Sequence, residues 1–515
     1  DFKPIKPCAS AARMYGKPRV ASEAFTSFAL TWNEHPAMLK DVANIHFVEG
    51  VTHLVFHTYT HNPRTDWLPP GTAFGSGIGT PFLRGQTWWK SMTEFTAYLA
   101  RCGYLLERGH PVSDVLWYLG DEQDHKPHQE APFPAGYKYD YCNPDALLNR
   151  LSVNDGQIVT PEGIAYRVLW LKECPRMLPE TLEKIHALVR SGATVVGNRP
   201  QGLATLSGGA KSEARFRKAV AALWGDTETT GMRRVGKGRV VSGLPLDVAL
   251  RHLDIEPDVI GEGAMWTHRQ SDEANWYFVA AHADQGFAGQ LDFRAKGAVE
   301  LWDPVTGKTA PAKTVGNEST HTKVVLELPA SGSVFVVFRN AGKAAPSAVA
   351  GSSSAAGRQV AISGPWVLAF PSGWDAPASV RLNGLVSWTD LEGSAASKAF
   401  SGSAVYATEF TLDAGATNAC VELDLGRVEV IARVSVNGEA VGTVWAPPYK
   451  VDVSRAVKAG VNRLSVEVTN TWFNRLAYDA GLPEAERKTW TIHGPAKGSA
   501  LKPAGLLGPV TISVK

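Results

Sequence analysis

The spacing of apolar residues changes once along this chain, near residue 260, and no single fold accommodates both patterns. Before that point, short apolar runs alternate with stretches in which apolar residues recur every three or four positions, the mark of strands alternating with helices. Beyond it they recur every second position between Gly, Pro and Asp turns, the mark of antiparallel strands. At 515 residues the chain also exceeds what one hydrophobic core supports, so about three or four domains are expected. The expected class is multidomain, α/β followed by all-β.

Residues 1–112 carry strand candidates in "PRVASEAF" and "GVTHLVFHTYTH" and a helix in "TWWKSMTEFTAYLARCGYLLERG", with Thr87 placed to cap it and Gly109 to end it. Residues 113–258 continue the alternation from "VSDVLWYLG" to "EARFRKAVAALWG", as in an open, flavodoxin-like α/β sheet. Residues 259–340 read as a β-sandwich and 341–360, small and mostly uncharged, as a linker. Residues 361–515 read as a second sandwich of jelly-roll type, with an Asn-Gly hairpin turn in "SVNGEAVG".

Composition removes several classes of function. The net charge of +2 spreads over 52 basic and 50 acidic residues without runs of either sign, so no nucleic-acid partner is expected. No apolar run reaches the ~18 residues that span a bilayer, so membrane insertion is not expected either. "SGGAKS" lacks the spacing of a phosphate-binding loop. The five cysteines form no CxxC or Cys/His metal pattern and leave at least one unpaired. No leader precedes Asp1 and no Met initiates the chain, so a processed or truncated piece is expected. Sixteen tryptophans, several beside polar residues, suit carbohydrate surfaces as well as cores.

Glu23 stands where the first strand should end, and burying a carboxylate there costs several kcal/mol unless it is paired or used. A satisfied hydrogen bond and a catalytic role are both open at this stage. On the next strand, His57, Tyr59 and His61 fall at alternate positions and should share one face, as a wall that hydrogen-bonds hydroxyl groups or as a structural cluster. His57 and His61 would lie ~13 Å apart along a strand, too far for one metal ion. The loop "NPRTDWLPPGTAFGSGIGTPFLRGQTWW" is long enough to be functional, and Trp67, Trp88 and Trp89 could offer ring faces to a sugar; either of the paired tryptophans could equally be a core residue at the helix start, and Trp89, on the helical apolar stripe, is the one expected in the core. Among other carboxylates, Glu34, Glu49, Asp66 and the pair Asp121 and Glu122 in "GDEQD" come closest to a partner for Glu23.

"ASEAFTS", "GVTHLVFHTYTHNP", "YDYCNPDALL", "WTHRQSDEANWYFVAAH", "WAPPYKVDVS" and "VEVTNTWFNRLAYDAG" together resemble glycoside hydrolase family 106, the α-L-rhamnosidases, over essentially the whole chain and in that family's C-terminal half. The resemblance implies the last strands of a (β/α)8 TIM barrel in residues 1–112. It implies removal of terminal α-L-rhamnose from glycosides or polysaccharides with inversion, Glu23 as general base, and calcium held by unassigned ligands. It also implies a periplasmic or secreted location. His57, Tyr59, His61, Trp67 and Trp88 are expected to shape the sugar subsite. Only two barrel strands precede the flavodoxin-like region, so the catalytic acid is expected upstream of Asp1, on a separate chain or a missing piece, and this chain alone should not catalyse. A β-galactosidase-like or other glycosidase, and a non-catalytic carbohydrate-binding fragment, are the alternatives. Trp445, Tyr449, Trp472, Asn474 and Arg475, and likewise His268 and Arg269, are either ligand contacts or scaffold.

Overall fold

The computed structural model describes residues 5–28, 31–62, 66–74, 77–122, 133–227, 229–314, 320–340, 358–415 and 419–515. The first unit holds α1 (Ile5–Met14), β1 (Ala21–Ala24), α2 (Pro36–Glu49), β2 (His53–Phe56) and α3 (Met92–Leu106). Strands β1 and β2 run parallel, pairing Glu23 with Val55 and Ala24 with Phe56. On one face, Ala24, Leu54 and Phe56 pack with α2 and α3 through Leu39, Phe47, Phe95 and Tyr98. On the other, Glu23 is exposed and Val55 is 48% exposed.

Three local expectations change. Strand β2 stops at Phe56, and the chain then bridges from Tyr59 to Phe82 instead of continuing beside β1. His57, Tyr59 and His61 therefore do not alternate along a strand. Thr87 does not cap the helix; a 3-10 turn over Trp89–Ser91 leads into α3, and the Thr87 hydroxyl is buried without a partner among the described residues. Helix α1, which the sequence reading left unassigned, packs on the strand Tyr139–Cys142 of the next unit, where Arg13 meets Asp140 at 2.6 Å.

That next unit is a six-stranded sheet. Five strands are parallel, in the spatial order Tyr139–Cys142, Val115–Tyr118, Val168–Leu171, Thr194–Gly197, Gly238–Ser242, with Gly231–Val235 antiparallel at the edge. Numbered along the chain, the parallel strands lie 2-1-3-4-5, the order of flavodoxin-like sheets. One face carries the helices Pro179–Ser191 and Gly209–Trp224, and the other the short helix Leu246–His252.

The period-two half forms two sandwiches. In the first, the three strands around Phe287–Phe293 face a six-stranded sheet across a core of Tyr277, Phe293, Val324 and Phe338. The edge of that six-stranded sheet is His110–Pro111, so the chain leaves the first unit through the sandwich. Arg269 fixes this exit, donating to the carbonyls of Arg108 at 2.6 Å and Gly109 at 2.8 Å; burial lowers its pKa to about 9. Of the linker expected at 341–360, residues 341–357 lie outside the described residues. The final sandwich encloses Trp366, Trp388, Phe400, Tyr406 and Leu464 between sheets of four and six strands.

The units are not strung on tethers. Trp445, 2% exposed, leaves the last sandwich to lie 5.5 Å from the ring of Phe95 and 5.8 Å from that of Tyr98. Replacing a buried indole by a methyl group leaves a cavity that neighbours refill only partly. Trp445→Ala is therefore expected to cost about 3–5 kcal/mol, read as a lower denaturation midpoint in urea with little change in slope.

Candidate active site

The site forms where β1 and β2 end. Phe25 follows Ala24 with φ of 68°, a left-handed conformation that costs a bulky residue about 1–3 kcal/mol. It is held by burial among Phe56, Phe82 and Phe95, with ring centroids 5.2, 6.0 and 5.8 Å away, and by Thr80, whose amide and hydroxyl both donate to the Phe25 carbonyl. The chain thus turns away directly after the strand and leaves Glu23 on its rim. The Thr26 hydroxyl donates to Glu23 Oε1 at 3.0 Å, which orients the carboxylate.

Phe74 and residues 77–82 frame this end. Gly79 donates to the Ser27 carbonyl at 2.6 Å, and a side chain at Gly79 would collide with the His57 ring. His57 packs edge-on against Phe74, its Nδ1 buried and without a partner among the described residues. Tyr59 is 51% exposed beside Trp89, and His61 is exposed. Trp67 pairs with Trp490 of the last sandwich, with centroids 5.4 Å apart.

Trp88 departs from expectation. It is 1% exposed, sits in the core under the strands and donates its indole N–H to the Glu34 carbonyl at 3.1 Å. Such a ring has no face left for a sugar, so its role is packing; the half-exposed member of the pair is Trp89. The apolar stripe had suggested the reverse, because the 3-10 turn shifts the register before α3 begins.

The other carboxylates separate by environment. Glu34, 8% exposed, accepts from the Thr31 amide and hydroxyl through Oε1, while its Oε2 has no partner among the described residues. Burial pushes its neighbour His35 down to about 4, so that imidazole is neutral at physiological pH. Asp121 accepts from Tyr118, the Leu178 amide and Thr181 at 2.6–2.8 Å, next to the start of the helix Pro179–Ser191, and Glu122 pairs with Arg176. Both are structural. Among the described residues no three His, Cys, Asp or Glu side chains gather as a metal site.

Of the C-terminal residues left open by the sequence, Trp445, Trp472, Asn474 and Arg475 are placed as scaffold. Trp472, Asn474 and Arg475 are buried, with Arg475 paired to Asp375 at 3.0 Å and Asp479 at 2.9 Å. His268 stacks on Tyr277, and both bind Asp258, tying the sandwich to Arg294 and Asp114. Sequence reasoning missed Thr26, Phe74 and Trp490. The "KTWTIHG" setting of Trp490 signals an exposed ring, yet nothing local signals that it meets a loop some 420 positions earlier.

Glu23 thus lies at the carboxyl end of two paired parallel strands, the end at which barrel enzymes meet their substrates. The sequence profile of glycoside hydrolase family 106, described as alpha-L-rhamnosidase, matches residues 3–314, and the chain belongs to that family. Residues 393–499 match a glycosyl hydrolase 2 galactose-binding domain-like profile. The solved rhamnosidase from Novosphingobium sp. PP1Y is 34% identical with a TM-score of 0.89, over 98% of this chain and 48% of that one. A Formosa agariphila protein described as a candidate beta-glucuronidase is 34% identical over 349 residues, 66% of this chain and 29% of that protein. The chain thus spans about half the length of the solved relative and under a third of the curated one. No described helix is long and apolar enough to cross a membrane.

Proposed function

We propose that this chain is the C-terminal part of an enzyme that hydrolyses terminal α-L-rhamnosides with inversion, and that Glu23 is its general base. The observation that carries the reading is the position of Glu23: exposed, oriented by Thr26 and set at the end of a parallel strand in a chain of this family. The open face bearing Glu23 and Val55 is read as the inner wall of a (β/α)8 barrel whose other strands, with the catalytic acid, come from an upstream segment. The sandwich at 361–515 is read as a jelly roll, and the location as periplasmic or secreted.

The proton balance then follows. The upstream acid protonates the glycosidic oxygen as the bond from C1 to that oxygen breaks. A water on the opposite face of the ring forms the new bond to C1 and gives its proton to Glu23. Inverting carboxyl pairs stand ~6.5–9.5 Å apart to admit that water. Thr26 occupies Oε1 and leaves Oε2 to take the proton. His57, Tyr59 and His61 are proposed to bind the rhamnose hydroxyls, with Trp67 at the rim. The calcium ion expected from the family finds no cluster of three His, Cys, Asp or Glu side chains to hold it among the described residues.

Following the anomeric signals by NMR during hydrolysis of an α-L-rhamnoside by the full-length protein tests this reading. The β-anomer should appear first; immediate α-product would overturn inversion. The description of the curated relative makes the sugar worth testing separately, and a panel of nitrophenyl glycosides should single out the rhamnoside over the β-glucuronide and β-galactoside.

A further inference from the structure

The last sandwich does more than pack against the first unit; it places a loop on the rim of the site. The Trp490 amide donates to the Pro69 carbonyl at 2.9 Å, and the Gly71 amide donates to the Trp490 carbonyl at 3.1 Å. The buried Trp32 indole donates to the His493 carbonyl at 2.6 Å. These bonds hold the backbone of 490–493 against the loop that carries Trp67, while the Trp490 side chain stays 36% exposed and Ile492 50% exposed. The segment is thus anchored by its backbone while two of its apolar side chains face water.

Two observations connect the loop to Glu23. His493 packs over Gly77, 3.6 Å from where a side chain there would begin, and two residues on, Gly79 binds Ser27 and abuts His57. In addition, five aromatic side chains are exposed among the described residues, and four of them, Phe28, Tyr59, Phe74 and Trp490, lie on the loops at this end of the strands. The rim of the site is where this molecule leaves rings uncovered.

We propose that Trp490 and Trp67 form a subsite for a second sugar ring, the one that departs when the glycosidic bond breaks. This rests on the reading of Glu23 given above. The two indoles pack against each other, with centroids 5.4 Å apart and planes inclined at 59°, so their outer surfaces form a shallow angled cradle. A pyranose fits such a cradle, with its C–H face on one indole and its edge against the other.

The test compares two substrates in the full-length enzyme: a disaccharide with rhamnose α-linked to a hexose, and α-L-rhamnosyl fluoride, whose leaving group has no ring. In Trp490→Ala the ratio of kcat/KM for the disaccharide to that for the fluoride should fall about tenfold, the order expected from losing one stacked ring. Trp490→Phe should hold the ratio within about threefold of wild type. An unchanged ratio in Trp490→Ala, whether both rates fall or neither does, overturns the subsite. So does a comparable loss with nitrophenyl rhamnoside alone, which would assign the cradle to aromatic leaving groups. If the wild-type enzyme hydrolyses neither substrate, the rhamnosidase reading itself fails and takes the subsite with it.

Discussion

Glu23→Gln in the full-length protein is expected to lower kcat by about 10²–10⁴-fold, the range supplied by a positioned general base, while thermal stability stays within about 0.5 kcal/mol of wild type. The fold should tolerate the change because Glu23 is exposed and its recorded side-chain partner is Thr26, which can donate to an amide oxygen as well as to a carboxylate. Chemistry should not tolerate it, because the amide cannot accept the proton of the attacking water. Azide separates base from acid. It attacks without needing deprotonation, so it should restore turnover in Glu23→Gln and give the β-rhamnosyl azide. Retained turnover in the variant without azide, or rescue only through a better leaving group, would remove Glu23 from the role of base.

The second large effect is on stability. Asp140 is 0% exposed, and burial by itself pushes its pKa up. Arg13 at 2.6 Å, Lys6 at 3.8 Å and the Tyr166 hydroxyl at 3.1 Å more than offset this and hold it below the ordinary 3.8. Because the folded pKa is depressed, the carboxylate contributes stability above pH 3.8 that is lost as pH falls through the folded value. Arg13→Leu removes the closest cation and leaves a buried charge, a change that costs about 3–5 kcal/mol. In the variant burial dominates and the folded pKa rises, so the sign reverses and acid relieves the penalty. The stability gap between wild type and Arg13→Leu, measured by urea denaturation, should therefore narrow between pH 7 and pH 4. A gap independent of pH would mean that Arg13 acts only by packing.

How much was legible follows from which forces act locally. The order of helices and strands through the flavodoxin-like sheet, and the later change of period, are written in spacing, because each element must bury one face. Glu23 drew notice as a carboxylate where an apolar strand should end; the burial that made it conspicuous is not there, because its face of the strand is exposed. Trp88 and Trp89 were not legible. Which of two adjacent rings turns inward is decided by a 3-10 turn that no periodicity announces. Helix α1 was missed because the partner that holds Arg13, Asp140, lies 127 positions away. The same limit hid Trp490. His57, Tyr59 and His61 were read as polar rings sharing one face of a strand, but the strand that was to align them stops at Phe56.

Trp445 has a consequence beyond stability. The terminal sandwich sets this indole against Phe95 and Tyr98 of α3, in the core that also holds Ala24 of the strand carrying Glu23, so removing it would open a hole in that shared core. Recombination that swaps one unit without the other should yield proteins that fail to mature, and the two ought to be inherited as a pair.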